Sequence, residues 1–327
     1  MCLEKRYGFN MSDVSLRPAA LILAFVRIDG VRKLIESCLQ NDVKRIYVSI
    51  DGPKDFEDQQ IQLSIVRMVN EFKANSDGIF RLLHRDNNLG VGAGVIAGID
   101  WFFSQESNGY ILEDDLVVGS DFFSFSFEAL SRYKDDDMVK MIAGSQLLTE
   151  LNKSNGAYWC NYPIIWGWST WREKWYQMKE GLLREKSWII RSGNPIVNNF
   201  WAVGASRVLN GYVDTWDTPL AAEFQVKNWL CLVPPVNLVS NTGNDSYATN
   251  TKGINESLNL KITNLIVETD FEFNRNSNSI QKYNRALEKN IFKIKFYHLL
   301  IPLYSFLFDF FRFRVRKSQL KNRIVEA

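Results

Sequence analysis

Histidine is almost missing from this 327-residue chain: only His84 and His298 occur. A zinc site built on histidines is therefore close to excluded, and a Ser-His-Asp triad would have to use His84 with no nucleophile-elbow motif behind it. Cysteine is sparse as well. Cys2, Cys38, Cys160 and Cys231 form no CxxC pair and no metal-ligand spacing, which points to reduced thiols. Met1 to Ser15 is charged and polar, without the apolar stretch of a secretory leader, so a cytoplasmic location is expected. An excess of one charge is missing too. The net charge of +2 gives no reason to expect a nucleic-acid partner. What remains is a globular composition, 46% hydrophobic and 23% charged, long enough for one large or two ordinary domains.

Ala19 to Val26 is a continuous apolar run of strand length, as expected for a strand covered on both faces. It ends at Arg27-Ile-Asp-Gly30, and helical spacing follows at Val31, Leu34, Ile35 and Cys38. Arg45 to Ile50 is the second strand, stopped by Asp51-Gly-Pro53. A helix over about Asp55 to Asn75 comes next, then a third strand from Ile79 to His84. Arg85-Asp-Asn-Asn-Leu-Gly-Val-Gly-Ala-Gly94 opens a helix running to about Ser104. The fourth strand, centred on Tyr110 to Leu112, delivers Glu113, Asp114 and Asp115. Strand and helix alternate four times, which predicts an α/β fold with a mostly parallel sheet flanked by helices. Ligands in such sheets sit beyond the carboxyl ends of the strands. Arg27, Asp51, Arg85 and Asp115 each follow a strand end and so converge on one cleft.

Three adjacent acids beside a core repel one another and call for a cation or a donor network. In an arbitrary sequence such a string is a solvated turn; here it is the fourth of four strand ends. Two site chemistries compete. Gly92-Ala-Gly-Val-Ile-Ala97, with Glu113 and Asp114 beyond it, fits a relaxed dinucleotide fingerprint. That fingerprint belongs after the first strand, however, and a ribose hook needs one acid rather than three. The other chemistry uses all four strand ends together: Asp51 and Asp115 supply acids, Arg27 and Arg85 supply cations, and Asn87 to Gly94, with Asn88 and Gly90, allows close backbone approach to a ligand.

Further on, Tyr158 to Trp171 holds six aromatic residues. Each is most simply core, but around Gly167 the group Trp166, Trp168 and Trp171 suits a sugar-binding floor for an acceptor. Leu182 to Arg207 is expected to be helical around Trp188 and Trp201, and Tyr212 to Pro219 leads into a helix holding Phe224, Trp229 and Leu230. Leu232 to Ser240 is extended, and Asn241 to Thr251 is a polar loop.

The units "VRID", "VSIDGP", "RDNNLG", "IDWFF" and "ILEDD", with "IWGWSTWREKW" and "VNLVSNTGNDSYATNT", resemble the nucleotide-diphospho-sugar glycosyltransferases of the GT-A fold. The nearest type is the N-acetylglucosaminyltransferase I group with its EDD motif, together with bacterial relatives. The resemblance covers about Pro18 to Thr251. It implies that Asp115 reaches a divalent cation, Mn²⁺ or Mg²⁺, that bridges the donor diphosphate. It places Glu113 and Asp114 on the ribose and donor sugar, Asp51 on a uracil base and Arg27 near the phosphates. Asp217 falls where the family has its general base, with Asp214 as the alternative. The chain departs from the pattern at Gly98, where eukaryotic members carry a nucleotide-contacting histidine, and at Asn250. For Asp217 itself, a helix N-cap is the competing role.

The expected organisation is a glycosyltransferase domain over residues 15–255, split into a nucleotide-sugar half (15–145) and an acceptor half (146–255), with a helical extension over 256–327. The expected activity is inverting, metal-dependent transfer from a UDP-sugar to a glycan or lipid-linked glycan in bacterial surface polysaccharide synthesis. The alternatives are a sugar-nucleotide nucleotidyltransferase, a nicotinamide-binding enzyme and a non-catalytic glycan-binding module. Residues 292–323 join an aromatic run to Arg312, Arg314, Arg316, Lys317, Lys321 and Arg323. His298, Pro302 and Asp309 interrupt the run too often for a spanning helix. The pattern fits either peripheral contact with the cytosolic face of the inner membrane or a helix packed on the domain.

Overall fold

The computed structural model describes residues 17–148, 150, 156–182, 194–243, 260–265 and 275–295. The N-terminal half alternates as the sequence pattern requires: β1 (Ala19–Ala24), α1 (Ile28–Gln40), β2 (Arg45–Ile50), α2 (Phe56–Asn75), β3 (Ile79–His84), α3 (Gly90–Phe103) and β4 (Asn108–Glu113). A two-residue turn leads to β5 (Leu116–Val118), followed by α4 (Ser120–Arg132) and β6 (Val139–Ala143). Beyond these come β7 (Tyr158–Cys160), β8 (Trp168–Trp171), α5 (Arg172–Leu182), α6 (Pro195–Leu209), α7 (Asp217–Lys227), β9 (Leu230–Val233), β10 (Val239–Asn241) and α8 (Ser277–Asn290).

Eight strands form one sheet in the order β3-β2-β1-β4-β8-β6-β9-β7, and β5 pairs with β10 in a small ribbon. β1 to β4 are mutually parallel, whereas β8 runs antiparallel between β4 and β6. This is an α/β architecture with a mostly parallel sheet. Strand alternation gives both faces an apolar surface. Ala19, Leu21 and Leu23 of β1 join a core with α3, α5, α6, α7 and α8, while Ala20, Ile22 and Ala24 join one with α1, α2 and α4. Burial on both faces explains the uninterrupted apolar run of β1.

The order of connections fixes where a ligand would sit. β1 feeds β2 and β3 on one side, and the chain then crosses to β4 on the other. The crevice at such a switch point lies beyond the carboxyl ends of the two strands. Those ends carry Arg27 and the three acids.

The sequence pattern misses α5 and the short strands β5, β7 and β8. The expected helix holding Trp229 and Leu230 stops at Asn228, whose left-handed φ of 52° ends it. Trp229 follows the helix and Leu230 opens β9. Trp188 lies outside the described residues, as do residues 244–259 with Asn250 and residues 296–327 of the aromatic and basic tail. At the start of that tail, Phe292 packs on Tyr162 and Trp201, each with ring centroids 5.0 Å away. No helix among the described residues is long and apolar enough to cross a membrane.

Candidate active site

The chain after β4 turns through Asp114 and Asp115 before β5 begins. This turn lies tight against α1. A Cβ on Gly30 would stand 1.8 Å from the Asp114 carbonyl oxygen, so glycine is required there. Asp114 is buried, and donors surround its carboxylate. Phe25 N–H donates to Oδ2 at 2.8 Å and Arg27 Nη1 donates to Oδ1 at 3.0 Å. Burial raises its pKa, while Phe25 and Arg27 oppose the rise.

Asp115 is held differently. Its backbone carbonyl accepts from Thr242 N–H at 2.8 Å and Thr242 Oγ1 at 2.9 Å. Asn241 Nδ2 approaches Oδ2 at 3.5 Å, but Oδ1 is buried and accepts no hydrogen bond among the described residues. Burial, with Asp114 next to it, pushes this carboxyl up to about 6. Glu113 is raised well above its ordinary value by burial first, then by Asp115, Asp114 and Asp217, with Arg27 opposing. Arg27 thus acts on all three acids. The effect of Asp217 on Glu113 means that the start of α7 lies within electrostatic reach of the acids.

Asp217 is the first residue of α7, with Trp216 at the N-cap position, and no side chain caps this helix. The helix-cap role expected for it is therefore not realised. Its Oδ1 accepts from Thr215 Oγ1 at 2.5 Å and Thr218 Oγ1 at 3.2 Å. Among the described residues Oδ2 accepts no hydrogen bond. Trp216 beside it is buried, stacked on Trp168 with ring centroids 5.9 Å apart and an interplanar angle of 26°, and edge-on to Trp175.

Asp51 and Asp214, both site candidates from the sequence, meet at one place: the N-terminus of α3. A helix leaves its first four N–H groups without intrahelical partners. Here Leu89 and Gly90 N–H donate to Asp51 Oδ1 and Oδ2 at 3.0 and 3.1 Å. Val91 and Gly92 N–H donate to Asp214 Oδ2 and Oδ1 at 3.1 and 3.0 Å. Two carboxylates thus occupy the whole positive end of the helix. Asp51 also accepts from Gly52 N–H at 3.0 Å and Asn88 Nδ2 at 3.1 Å, which fills the acceptor sites a carboxylate offers. Burial raises its pKa, and the Leu89, Gly52 and Gly90 N–H groups and Arg85 counter that rise. Asn88 joins the same cradle through Gly52 O at 2.8 Å. Arg85, half-buried, donates to Ser49 Oγ at 3.0 Å.

These contacts correct several expectations. Asp51, Asn88 and Gly90 are engaged with one another, not open to a base. Both oxygens of Asp214 are taken by backbone donors, which leaves Asp217 as the carboxylate with a free oxygen. The glycine-rich opening of α3 offers no vacant N–H groups to a pyrophosphate, and α3 follows β3, an edge strand rather than the switch point. The dinucleotide fingerprint is therefore a packing pattern. Gly98 faces the sheet: a Cβ there would come within 2.6 Å of Leu23 Cδ2 and 3.0 Å of Ser49 Oγ. A larger residue at 98 would enter the core, not the crevice.

The aromatic floor is also corrected. Trp168 is wholly buried in the core beneath Trp216. Trp171 is buried too, donating Nε1 to Leu130 O at 3.2 Å, with Lys174 Nζ 3.6 Å from its ring centroid. Neither presents a face to a sugar. Trp166 is half-buried and retains an exposed part.

Among the described residues no group of three His, Cys, Asp or Glu side chains is arranged to hold a metal ion. Asp115 nonetheless fits a cation as a single ligand: its Oδ1 is buried, negatively charged when ionised, and without a partner among the described residues.

No protein-family model matches the chain, and no curated protein matches it. Among solved structures it is similar to a UDP-glucose pyrophosphorylase complexed with UDP-glucose, at 9% identity and a TM-score of 0.35, covering 65% of this chain and 89% of that one. It is also similar to a putative glucose-1-phosphate thymidylyltransferase from Bacillus anthracis, at 12% identity and a TM-score of 0.33, covering 57% and 82%. Both likenesses are distant in sequence and in geometry.

Proposed function

We propose that the crevice between β1 and β4 binds a nucleotide sugar and that the protein transfers the sugar to an acceptor hydroxyl with inversion. The observation that carries this reading is the half-buried Asp115 at the switch point, whose buried Oδ1 has no partner among the described residues, with Arg27 and Asp217 acting electrostatically on the same run of acids. Asp115 would hold Mn²⁺ or Mg²⁺, and such a hard cation would supply charge neutralisation for the diphosphate leaving group. Arg27 adds a fixed positive charge next to that position. Glu113 and Asp114 line the donor side. Asp217, with Oδ2 free, takes the proton of the attacking hydroxyl as general base. One direct displacement opposite the leaving group inverts the anomeric centre, by analogy with hydrolases. Trp166 is the remaining candidate for an acceptor contact.

A sugar-nucleotide nucleotidyltransferase is the second reading, because both named structures are enzymes of that kind. Such an enzyme is expected to carry a glycine-rich loop with a lysine after the first strand. Here Phe25-Val-Arg27 runs straight into α1. Two assays with manganese separate them: on a panel of UDP-sugars the transferase releases UDP, whereas on UTP with a panel of sugar 1-phosphates the nucleotidyltransferase forms UDP-sugar and pyrophosphate. The transferase reading predicts that Asp115→Ala and Asp217→Asn each lower UDP release by at least about 100-fold, to a residual rate that can still be measured. Full turnover by Asp115→Ala would remove the metal role, and full turnover by Asp217→Asn would remove the base role.

We propose further that residues 292–323 bring the enzyme to the cytosolic face of a membrane that carries a lipid-linked acceptor. Aromatic residues next to a basic cluster support this. Deleting residues 296–327 should move the protein out of the membrane fraction.

A further inference from the structure

The two acids at the α3 N-terminus differ in what they join. Asp51 lies in the β2–α2 connection, within the same half of the chain as α3. Asp214 reaches Val91 and Gly92 from 123 and 122 residues away. It lies in the segment between α6 and α7, three positions before Asp217. That segment is anchored at two points: Asp214 on the α3 N–H groups, and Trp216 in the aromatic core against Trp168 and Trp175. Thr215, between them, donates its hydroxyl to Asp217 Oδ1.

We infer that Asp214 is a positioning residue: a carboxylate latch on α3 that fixes the segment leading into α7 and with it the Asp217 carboxylate. The inference rests on the transferase reading for the role of Asp217, but not for the latch itself. Trp216 buried alone would leave the preceding backbone one anchor, about which it could swing. Asp214 supplies the second anchor. It ties the segment to the helix that runs on to β4 and the acids. Backbone N–H groups of a helix start are rigid donors, so the latch fixes direction as well as distance. Asp214 itself is exposed, and its loss opens no cavity.

The test uses the whole chain and four variants: Asp214→Ala, Asp214→Glu, Asp217→Asn and the Asp214→Ala/Asp217→Asn double variant. UDP release from the UDP-sugar panel is measured with manganese and water as acceptor. Asp214→Ala should lower kcat by about 10- to 100-fold with donor KM within about 2-fold, since a misplacement near 1 Å costs that much. Asp214→Glu should recover part of the loss. The double variant should be no slower than Asp217→Asn, because a base that is absent has no position to lose. Independently of turnover, hydrogen exchange at the Val91 and Gly92 amides should accelerate in Asp214→Ala and stay unchanged in Asp217→Asn. Unchanged kcat in Asp214→Ala, or losses that add in the double variant, overturns the positioning role. If Asp217→Asn keeps full turnover, the base assignment fails and positioning falls with it; unchanged amide exchange in Asp214→Ala removes the latch.

Discussion

Gly243 and Asp115 are in direct contact: a Cβ on Gly243 would stand 2.3 Å from Asp115 Oδ2. The chain after β10 therefore closes one side of the acid turn, and only a hydrogen atom fits between them. Gly243→Ala should displace the Asp115 side chain while leaving the sheet intact. UDP release should fall at least about 10-fold, and thermal unfolding should change little, since overpacking at the rim is relieved by moving one short side chain. An unchanged rate would mean that the Asp115 position is immaterial.

Asp115→Asn should separate stability from activity. The native fold holds this carboxyl at about 6, above its unfolded value of 3.8, so ionisation at neutral pH opposes folding. Removing the charge should stabilise the metal-free protein at pH 7.5 by on the order of 1–3 kcal/mol, seen as a higher thermal midpoint. Manganese should raise the midpoint of the wild type and leave that of the variant unmoved. Differential scanning fluorimetry with and without the ion reads both effects.

Trp168 and Trp166 stand two residues apart and should respond in opposite ways. Trp168→Ala removes a wholly buried ring and the stack under Trp216, and should cost about 3–5 kcal/mol in urea unfolding. Trp166→Ala should cost far less stability and instead raise the KM for a glycan acceptor. A large stability loss from Trp166→Ala would place it with the core.

Lys174 offers a pH test far from the crevice. It is buried against Trp171, donates to Tyr133 O and Asp136 O, and burial lowers its pKa to about 8 from 10.5. Between those values the unfolded chain binds the extra proton, so stability contributed at this site rises with pH across that window. Wild-type stability measured relative to Lys174→Met should therefore increase from pH 8 to pH 10.5 and be flat from pH 6 to pH 7.5. Chemical denaturation in matched buffers gives both limbs.

The N-terminal sheet was legible because its signals are local. Apolar runs and helical spacing at Val31, Leu34, Ile35 and Cys38 need no knowledge of distant neighbours. The acid turn was legible for the same reason, as three carboxylates at the end of an apolar strand. β7 and β8 were not: strands of three and four residues exist only through their pairing, and their tryptophans read alike whether buried or exposed. Asp51 shows the limit most sharply. Its place at a strand end was correct, but the donors that fill its carboxylate lie up to 39 residues away. In the sequence Asp214 stands out only by its proximity to Asp217. Its actual partners could have been guessed only from a helix whose first turn carries no acid of its own.

β8 enters the sheet between β4 and β6 although it is made after both, and β10 pairs with β5 later still. Synthesis proceeds from the N-terminus, and early segments fold as they emerge. β1 to β4 can assemble on their own, but β4 then waits with one edge open until Trp168 to Trp171 appear. The turn bearing the three acids waits longer, until Asn241 and Gly243 reach it. The nascent chain thus carries an unpaired strand edge next to an acidic turn from the completion of β4 at Glu113 until Trp168 is made, and that charge is a natural guard against edge-to-edge association.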